Sequence, residues 1–235
     1  MKKYAIILAG GEGHRAGGKL PKQFVELLGI PILWWSVIAF HKEDPQTEIT
    51  VVVHPGFFDD YDILHSELPE DVKNIPVRVV AGGRSRGESV ANGLLGLEEK
   101  EDSLIAIHDA ARPLVTTGMI KAGWECALKN GAAVPCIPVT DSLRELTDGK
   151  SVSVDRSRFV AVQTPQVFKS KILYDAYGLE EHPGFTDDAS RVEASGTDIT
   201  LYDGRPDNIK VTNPSDFVLA ETLLKIQHLG NSRSV

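Results

Sequence analysis

The sequence predicts an α/β fold in which helices cover both faces of a mostly parallel β-sheet, with an inserted β-hairpin arm. Three observations predict it. Short apolar runs alternate with helix-like segments, a glycine-rich segment directly follows the first run, and an Asp-Gly pair later separates two alternating segments. Strand–helix alternation is typical of parallel sheets because each crossover between parallel strands needs a long connection, usually a helix. We therefore expect one domain, residues 1–235, that includes an arm at residues 139–167.

The strands and helices follow in order. Continuous apolar runs typical of buried parallel strands occupy residues 4–8, 48–53, 77–81, 104–107 and 132–137. Helices are predicted at residues 31–40, 89–97, 117–129 and 214–228. Pro31 is tolerated in a first helical turn, and Thr116 or Thr117 is a suitable N-cap for the third helix. The last helix is amphipathic.

The alternation breaks between residues 139 and 167. Residues 142–146 and 152–156 flank the sequence Thr-Asp-Gly-Lys, and Asp-Gly between alternating runs indicates a two-residue hairpin turn. A hairpin inserted into an α/β domain must pack against something, and a second subunit offers such a surface. The segment is therefore predicted to be an arm that mediates homodimer formation.

Composition excludes several classes of function. The chain has 25 Lys and Arg against 33 Asp and Glu, a net charge of −8, so no nucleic-acid partner and no attraction to anionic membranes is expected. No apolar stretch approaches the roughly 18 residues that a membrane span needs. Two cysteines form neither a disulfide framework nor a metal-ligand pattern, which fits a reducing compartment. We expect a cytoplasmic protein.

The glycine-rich segment after the first strand contains the richest chemistry. Ala9, Gly10, Gly11 and Gly13 allow the backbone to approach a ligand, and Arg15, Lys19 and Lys22 add positive charge to the same loop. In an acidic chain, this clustering of cations predicts a polyphosphate site.

Two common phosphate-binding patterns fit this loop incompletely. Gly13 to Lys19 has the spacing of an ATP-binding P-loop, but Leu20 offers no hydroxyl for Mg²⁺ and Pro21 interrupts a following helix. Gly11 and Gly13 also begin a dinucleotide fingerprint, with Ala16 in the third glycine position. The second strand ends without the acidic residue that binds a ribose hydroxyl. A dinucleotide-binding oxidoreductase is therefore retained only as a weaker alternative.

Asp109 follows the fourth strand, at the sheet edge where open α/β sheets bind ligands. A carboxylate there is suited to hold Mg²⁺ between phosphates, and the alternative is that it caps the next turn. His108 is expected to be a structural hydrogen-bonding residue. Arg86 and Glu88 fit an ordinary solvated pair at a helix start.

Eight motifs follow one another along the chain. They are LAGGEGHR (8–15), LPKQF (20–24), GGRSRGESV (82–90), HDAARP (108–113), VDRSRF (154–159), QTPQVF (163–168), TDDAS (186–190) and DNIKVT (207–212). In this order the set resembles the 2-C-methyl-D-erythritol 4-phosphate cytidylyltransferases, enzymes of non-mevalonate isoprenoid biosynthesis. The resemblance implies a Rossmann-like fold of the nucleotide-diphospho-sugar transferase type. It also implies cytidylyl transfer from CTP to a polyol phosphate in a homodimer.

The resemblance assigns a role to each matched residue. It implies that Arg15 and Lys22 stabilise transition-state charge. It implies CTP contacts at Ala9, Gly10, Gly11, Gly13, Gly83 and Ser89. It implies contacts with the second substrate at Arg112, Ser142, Arg156, Thr164 and Lys210, with Arg156 and Thr164 reaching the site from the neighbouring subunit. Asp109 and Asp207 are the implied ligands of Mg²⁺ or another divalent cation.

Two further interpretations stay open at this stage. The glycine-rich loop also resembles that of ribitol-5-phosphate cytidylyltransferases, although Ala111, the VDRSRF motif and the TDDAS motif fit the methylerythritol enzymes better. A nucleotide-binding regulator without catalysis is disfavoured because pure binding does not require transition-state cations.

Overall fold

The computed structural model describes residues 1–11, 21–97 and 102–231. The strands are β1 (Lys2–Ala9), β2 (Glu26–Leu27), β3 (Ile30–Pro31), β4 (Glu48–Val53), β5 (Val77–Ala81), β6 (Ser103–Asp109), β7 (Ala132–Pro138), β8 (Arg144–Thr147), β9 (Lys150–Ser153), β10 (Val160–Val162), β11 (Gln166–Lys169) and β12 (Thr200–Asp203). The helices are α1 (Ile32–Glu43), α2 (Phe58–Ser66), α3 (Glu70–Lys73), α4 (Arg86–Leu95), α5 (Thr117–Asn130), α6 (Ser170–Tyr177), α7 (Asp188–Ala194) and α8 (Pro214–Asn231).

The main sheet has eight strands in the order β10-β7-β11-β6-β1-β4-β5, with β12 also paired to β7. Strand β1 runs parallel to β4 and β6, and β4 runs parallel to β5. Strand β12 is parallel to β7, whereas β10 and β11 run antiparallel to their neighbours. The predicted, mostly parallel α/β sheet is therefore confirmed. The two reversed strands and β12 were not predicted.

Helices cover both faces of the sheet, as predicted. Side chains of β1 alternate between the two cores: Ala5 and Ile7 face one, while Tyr4 and Ile6 face the other. The first core is closed by α1 and α5, and the second by α4, α6 and α7. Helix α8 packs on a third, smaller apolar cluster through Ala220 and other residues. Within the part of the chain that the structure describes, no helix is long and apolar enough to cross a membrane.

Capping hydrogen bonds determine where helices α5 and α4 begin. Thr116 caps α5, as predicted, by accepting a hydrogen bond from the Met119 amide at 3.2 Å. Helix α4, predicted to begin at Ser89, begins one turn earlier because the Ser85 hydroxyl accepts from the Glu88 amide at 3.0 Å. Ser89 therefore lies inside the helix, with its hydroxyl available to the loop before it.

Strands β8 and β9 form the predicted hairpin. Asp148 and Gly149 both have positive φ, at 49° and 76°, which is the backbone of the tight turn that Asp-Gly favours. Leu146 is 80% exposed and Val152 is 61% exposed. A two-stranded hairpin alone is only marginally stable in water, so these apolar side chains are consistent with an arm that needs a packing partner.

Candidate active site

A cavity of about 670 Å³ opens at the carboxyl ends of β1, β4, β5 and β6. Open α/β sheets bind ligands at this edge. Residues predicted for the site that line the cavity are Ala9, Gly10, Gly11, Lys22, Gly83, Ser89, Asp109 and Lys210. Gly13 and Arg15, which were also predicted, lie outside the described residues. These residues come from separate parts of the chain and face the same cavity.

The turn after β1 is held by Gln23, which sequence reasoning did not single out. Its side chain is 3% exposed, and its amide nitrogen donates to the carbonyls of Ala9 and Gly11, both at 2.6 Å. Buried polar groups of this kind fix a backbone because an unpaired alternative is costly. Gln23 therefore fixes the glycine-containing turn at the cavity wall.

A second wall is made by the segment between β5 and α4. The Gly83 amide donates to the Ser89 hydroxyl at 3.1 Å, and this hydroxyl in turn donates to the Ser85 carbonyl at 2.9 Å. A Cβ at Gly83 would lie 2.3 Å from the Glu88 Cβ, so only glycine fits this backbone. The predicted residues Gly83 and Ser89 are thus joined in one rigid turn.

Asp109 is the carboxylate at the floor of the cavity. Its Oδ2 lies 2.7 Å from Lys210 Nζ and its Oδ1 lies 3.6 Å from Arg86 Nε. Burial alone opposes ionisation, but the charges of Arg86 and Lys210 outweigh it and hold the pKa of Asp109 well below its usual range. The floor of the cavity therefore has one permanent negative charge between two positive ones.

Three buried side chains support Asp109 from behind. The Thr164 hydroxyl accepts from the Asp109 amide at 3.1 Å and lies 3.1 Å from His108 Nδ1. His108 Nε2 lies 3.2 Å from the Ser36 hydroxyl. His108 is thus the hydrogen-bonding residue that the sequence indicated. Thr164, predicted to contact substrate, is 5% exposed, and its hydroxyl is engaged inside its own chain.

We expect this buried histidine to make the protein less stable below neutral pH. Burial lowers the pKa of His108 to about 4 from its ordinary 6.5. The unfolded state then binds more protons between those pH values, so the free energy of unfolding falls as the pH decreases through that window, by roughly 3 kcal/mol in total. Chemical denaturation at pH 7 and pH 4, without added divalent cations, measures the fall.

The matched controls are two single substitutions of histidine. His108→Gln should remove most of this pH dependence, although it lowers stability at pH 7. His182→Gln changes an exposed histidine and should leave the slope unchanged. An equal slope in the wild type and His108→Gln would contradict the assignment.

The segment before α8 joins the floor of the cavity through three contacts. The Val211 amide donates to the Ala111 carbonyl, Arg112 Nη1 donates to the Asn208 carbonyl, and Lys22 Nζ donates to the Val211 carbonyl, each at 2.8 Å. Parts of three sequence motifs, LPKQF, HDAARP and DNIKVT, therefore meet at one point.

Other predicted residues are not brought into this cavity. Ser142 and Arg156 lie exposed on the arm, where the Arg156 guanidinium donates to the Thr140 carbonyl. Asp207 forms an ion pair with Arg205 at 2.6 Å, and hydrogen bonding from Arg205 is the main reason that the pKa of Asp207 is lowered. Neither Asp207 nor Arg112 lines the cavity.

Arg86 and Glu88, which were expected to form a solvated pair, have different partners in the structure. Glu88 pairs with Arg84 at 3.1 Å, whereas Arg86 turns inward to Asp188 at 2.7 Å. Asp188 belongs to the TDDAS motif, to which sequence reasoning gave no physical role. No local signal identifies this pair because its members are 102 positions apart.

Among the described residues, no group of three or more histidine, cysteine, aspartate or glutamate side chains is placed to hold a metal ion. Asp109 offers its carboxylate at the cavity floor. Mg²⁺ usually takes one or two carboxylates plus phosphate oxygens, so this arrangement fits a metal bound together with a polyphosphate rather than a site made by protein alone.

The sequence matches the family described as 2-C-methyl-D-erythritol 4-phosphate cytidylyltransferase over residues 4–226. The chain belongs to this family. Members of the 2-C-methyl-D-erythritol 4-phosphate cytidylyltransferase family are nucleotidyltransferases, and the weaker dinucleotide-binding alternative is not favoured.

Individual relatives of the cytidylyltransferase family cover nearly the whole chain. A protein of that name from Bacteroides thetaiotaomicron is 41% identical over 224 residues, which span 95% of this chain and 100% of the relative. A chloroplastic protein of that name from Oryza sativa subsp. japonica is 36% identical, and the match spans 93% of this chain and 73% of the relative. The crystal structure of the cytidylyltransferase from Thermus thermophilus is 33% identical, with a TM-score of 0.73 over 96% of this chain and 100% of that chain.

Proposed function

We propose that the protein transfers the cytidylyl group of CTP to 2-C-methyl-D-erythritol 4-phosphate. The products are 4-diphosphocytidyl-2-C-methyl-D-erythritol and pyrophosphate. The observation that carries the proposal is the buried carboxylate of Asp109 between Lys210 and Arg86, at the floor of a cavity that Lys22 also lines. A polyphosphate ligand needs such a concentration of cations, and a chain with a net charge of −8 has no general surplus of them.

The reaction requires alignment and charge compensation rather than a side-chain nucleophile. A phosphate oxygen of the methylerythritol phosphate donates an electron pair to the α-phosphorus of CTP, and the bond from that phosphorus to the bridging oxygen of the β-phosphate breaks. Pyrophosphate leaves on the opposite side with that electron pair. Both reacting groups are anionic, so positioned cations lower the barrier by compensating the charge that builds up between them.

The residues divide into two groups in this proposal. Lys22 and Arg15 compensate the charge on the reacting phosphates, and Lys210 binds phosphate while it is held by Asp109. The turns around Gly10, Gly11 and Gly83 hold the nucleotide, with Ala9 at the strand end beside the first two, and Ser89 fixes the Gly83 amide. Gly13 contributes to nucleotide binding in this proposal. Backbone groups of this kind distinguish cytosine from uracil because N4 of cytosine donates where O4 of uracil accepts.

A divalent cation such as Mg²⁺ belongs to this proposal, with Asp109 as its protein ligand. When bound, the cation neutralises phosphate charge and orients the triphosphate. Asp109 is ionised at neutral pH and faces the cavity, which makes it available for that role. Asp207 is a candidate second ligand by motif only, since its carboxylate pairs with Arg205.

In this proposal the arm forms the contact between two subunits. Arg156 and Ser142 are exposed on it and do not line the cavity of their own chain, which fits residues that act in a neighbouring site. Thr164, Arg112 and the segment 207–212 lie at the base of this arm and position the floor of the cavity. A homodimer formed through residues 139–167 follows from this proposal.

A pyrophosphate-release assay tests the proposed reaction directly. The purified protein is incubated with CTP and Mg²⁺ and either methylerythritol 4-phosphate or ribitol 5-phosphate. We expect release with the first substrate and a much lower kcat/KM with the second. Preference for ribitol 5-phosphate would retain the nucleotide site but overturn the interpretation of the arm, and CTP binding without release from either would favour a regulator. The relatives described above have the methylerythritol name, so the ribitol alternative is not favoured.

Mixed dimers test the shared site. An Arg15→Ala variant and an Arg156→Ala variant are each expected to be nearly inactive. When they are mixed, one of the two sites in each heterodimer receives an intact Arg15 and an intact Arg156. We expect recovery of up to about a quarter of the wild-type rate because half the dimers are mixed at random exchange and each has one complete site.

The control mixes the Arg15→Ala variant with a second preparation of the same variant that carries a different affinity tag. Dimers with both tags form in this control, but no activity should be recovered. Heterodimers of the two different variants are first purified through their tags. No activity in those purified heterodimers would remove the cross-subunit role of Arg156.

A further inference from the structure

A chain of polar contacts leads away from Asp109 to a buried carboxylate outside the cavity. Arg86 Nε approaches Asp109 Oδ1 at 3.6 Å, and Arg86 Nη2 donates to Asp188 Oδ2 at 2.7 Å. The other oxygen of Asp188 accepts from the Tyr177 hydroxyl at 2.6 Å. Asp188 is 0% exposed and does not line the cavity. Arg86 therefore bridges one carboxylate inside the site and one behind it.

The position of Arg86 in the chain requires this arrangement. Arg86 is the first residue of α4, at the helix end where the peptide dipoles favour negative charge, so its own helix disfavours the guanidinium. Burial disfavours it further, and the two carboxylates more than compensate, which raises the pKa of Arg86. The side chain is partly buried, with 32% of its surface exposed, and its charge is compensated by pairing and hydrogen bonding with the two carboxylates.

The two distances show which carboxylate determines where Arg86 lies. The guanidinium makes a direct hydrogen bond to Asp188, whereas its separation from Asp109 is longer than an ordinary hydrogen bond. Arg86 is thus held more closely by Asp188 than by Asp109. Lys210 already contacts Oδ2 of Asp109, so a direct bond from Arg86 would engage the remaining oxygen as well and leave it less open to the cavity.

We propose that Asp188 is a positioning residue that anchors Arg86 and thereby leaves one oxygen of Asp109 accessible from the cavity. Tyr177 supports the anchor by donating to the second oxygen of Asp188. The inference rests on the proposed function, because its effect is on cytidylyl transfer in the cavity that Asp109 lines. It also gives the TDDAS motif two separate tasks. Asp187 caps α7 and accepts from Gln166, while Asp188 fixes Arg86.

Steady-state kinetics of Asp188→Asn test this role. In the variant the anchor loses its charge, and Arg86 is expected to close onto Asp109. We expect kcat to fall roughly 10- to 100-fold, because misplacement by about 1 Å costs that much, with KM for CTP changed less than about threefold. Tyr177→Phe keeps the carboxylate and removes only its second donor, so it should produce a smaller fall in kcat.

A double-mutant cycle separates positioning from general loss of structure. If Asp188 acts through Arg86, Asp188→Asn lowers kcat in the wild type but has little further effect in an Arg86→Gln background. Asp187→Asn is the matched control: it removes the neighbouring charge and the acceptor of the Gln166 amide, while the asparagine oxygen still caps α7. It should lower the melting temperature slightly while leaving kcat near the wild-type value.

The outcomes distinguish this inference from the proposed function. Wild-type protein that turns over neither polyol phosphate overturns the proposed function and, with it, the inference. Wild-type turnover combined with an unchanged kcat in both Asp188→Asn and Tyr177→Phe overturns the inference alone. The inference alone is also overturned if Asp188→Asn lowers kcat by the same factor in the Arg86→Gln background as in the wild type. If Asp188→Asn does not fold, Tyr177→Phe and its cycle with Arg86→Gln decide the question.

Discussion

Replacement of Asp109 by asparagine is expected to lower kcat by roughly 10²- to 10³-fold, the range observed when one preorganised electrostatic group is removed from an active site. The amide has the shape of the carboxylate but no charge, so it neither balances Lys210 and Arg86 nor attracts a divalent cation. Rates of pyrophosphate release at saturating CTP and methylerythritol phosphate measure the effect. A higher Mg²⁺ requirement should accompany it.

The same substitution has a predicted structural cost. It leaves two cations facing each other across a neutral amide, which lowers the free energy of unfolding. The melting temperature should therefore fall without loss of the folded state. Asp175→Asn is the matched control, because Asp175 is an exposed carboxylate that pairs with Lys171 on the surface of α6. Wild-type kcat in a folded Asp109→Asn variant would remove Asp109 from the reaction.

Replacement of Lys22 by methionine is expected to lower kcat by roughly 10²-fold or more while CTP affinity changes much less. The ammonium group lies 2.8 Å from the Val211 carbonyl, in the cavity that Lys210 and Asp109 also line. A cation fixed in this way stabilises charge that develops during transfer more than charge already present in bound CTP. Steady-state kinetics and calorimetric titration with CTP separate the two effects.

Two further variants sharpen this result. Lys22→Arg retains the charge but replaces a compact ammonium by a planar group, so we expect partial activity rather than full recovery. Lys171→Met removes an exposed lysine from α6 and should leave the kinetics unchanged. Equal losses in kcat and CTP affinity for Lys22→Met would assign the lysine to binding of the ground state instead.

The sequence predicted those elements whose signals are local. Strands β1, β4, β5, β6 and β7 are continuous apolar runs, and the arm has an Asp-Gly turn at its tip. Asp109 was identified because it follows the apolar run of β6 directly. The strands β10, β11 and β12 were missed because they have three or four residues each, and strand direction depends on the path of the chain rather than on composition.

The residues of the candidate site also fall into those that a local signal identifies and those that it does not. Lys22, Gly83 and Ser89 could be assigned from motifs because each belongs to a motif in the connection that follows a predicted strand. The pairing of Arg86 with Asp188 could not, since it joins positions far apart in the chain and depends on how α7 packs against α4. Asp207 matched a motif, yet Arg205, only two positions away, binds its carboxylate. Residue type alone does not determine which partner an acidic side chain finds.

The location of β11 also affects the order in which the fold is assembled. Strand β11 lies between β6 and β7, although both of those strands precede it in the chain. Strands β1, β4, β5 and β6 are able to pair as soon as they emerge from the ribosome, whereas β7 has no place beside them until the arm and β11 have been synthesised. Long-range pairing of this kind slows folding because loop closure precedes the contacts that stabilise it. The half of the sheet that carries the glycine-rich turn is therefore expected to form first, and the floor around Asp109 is completed last.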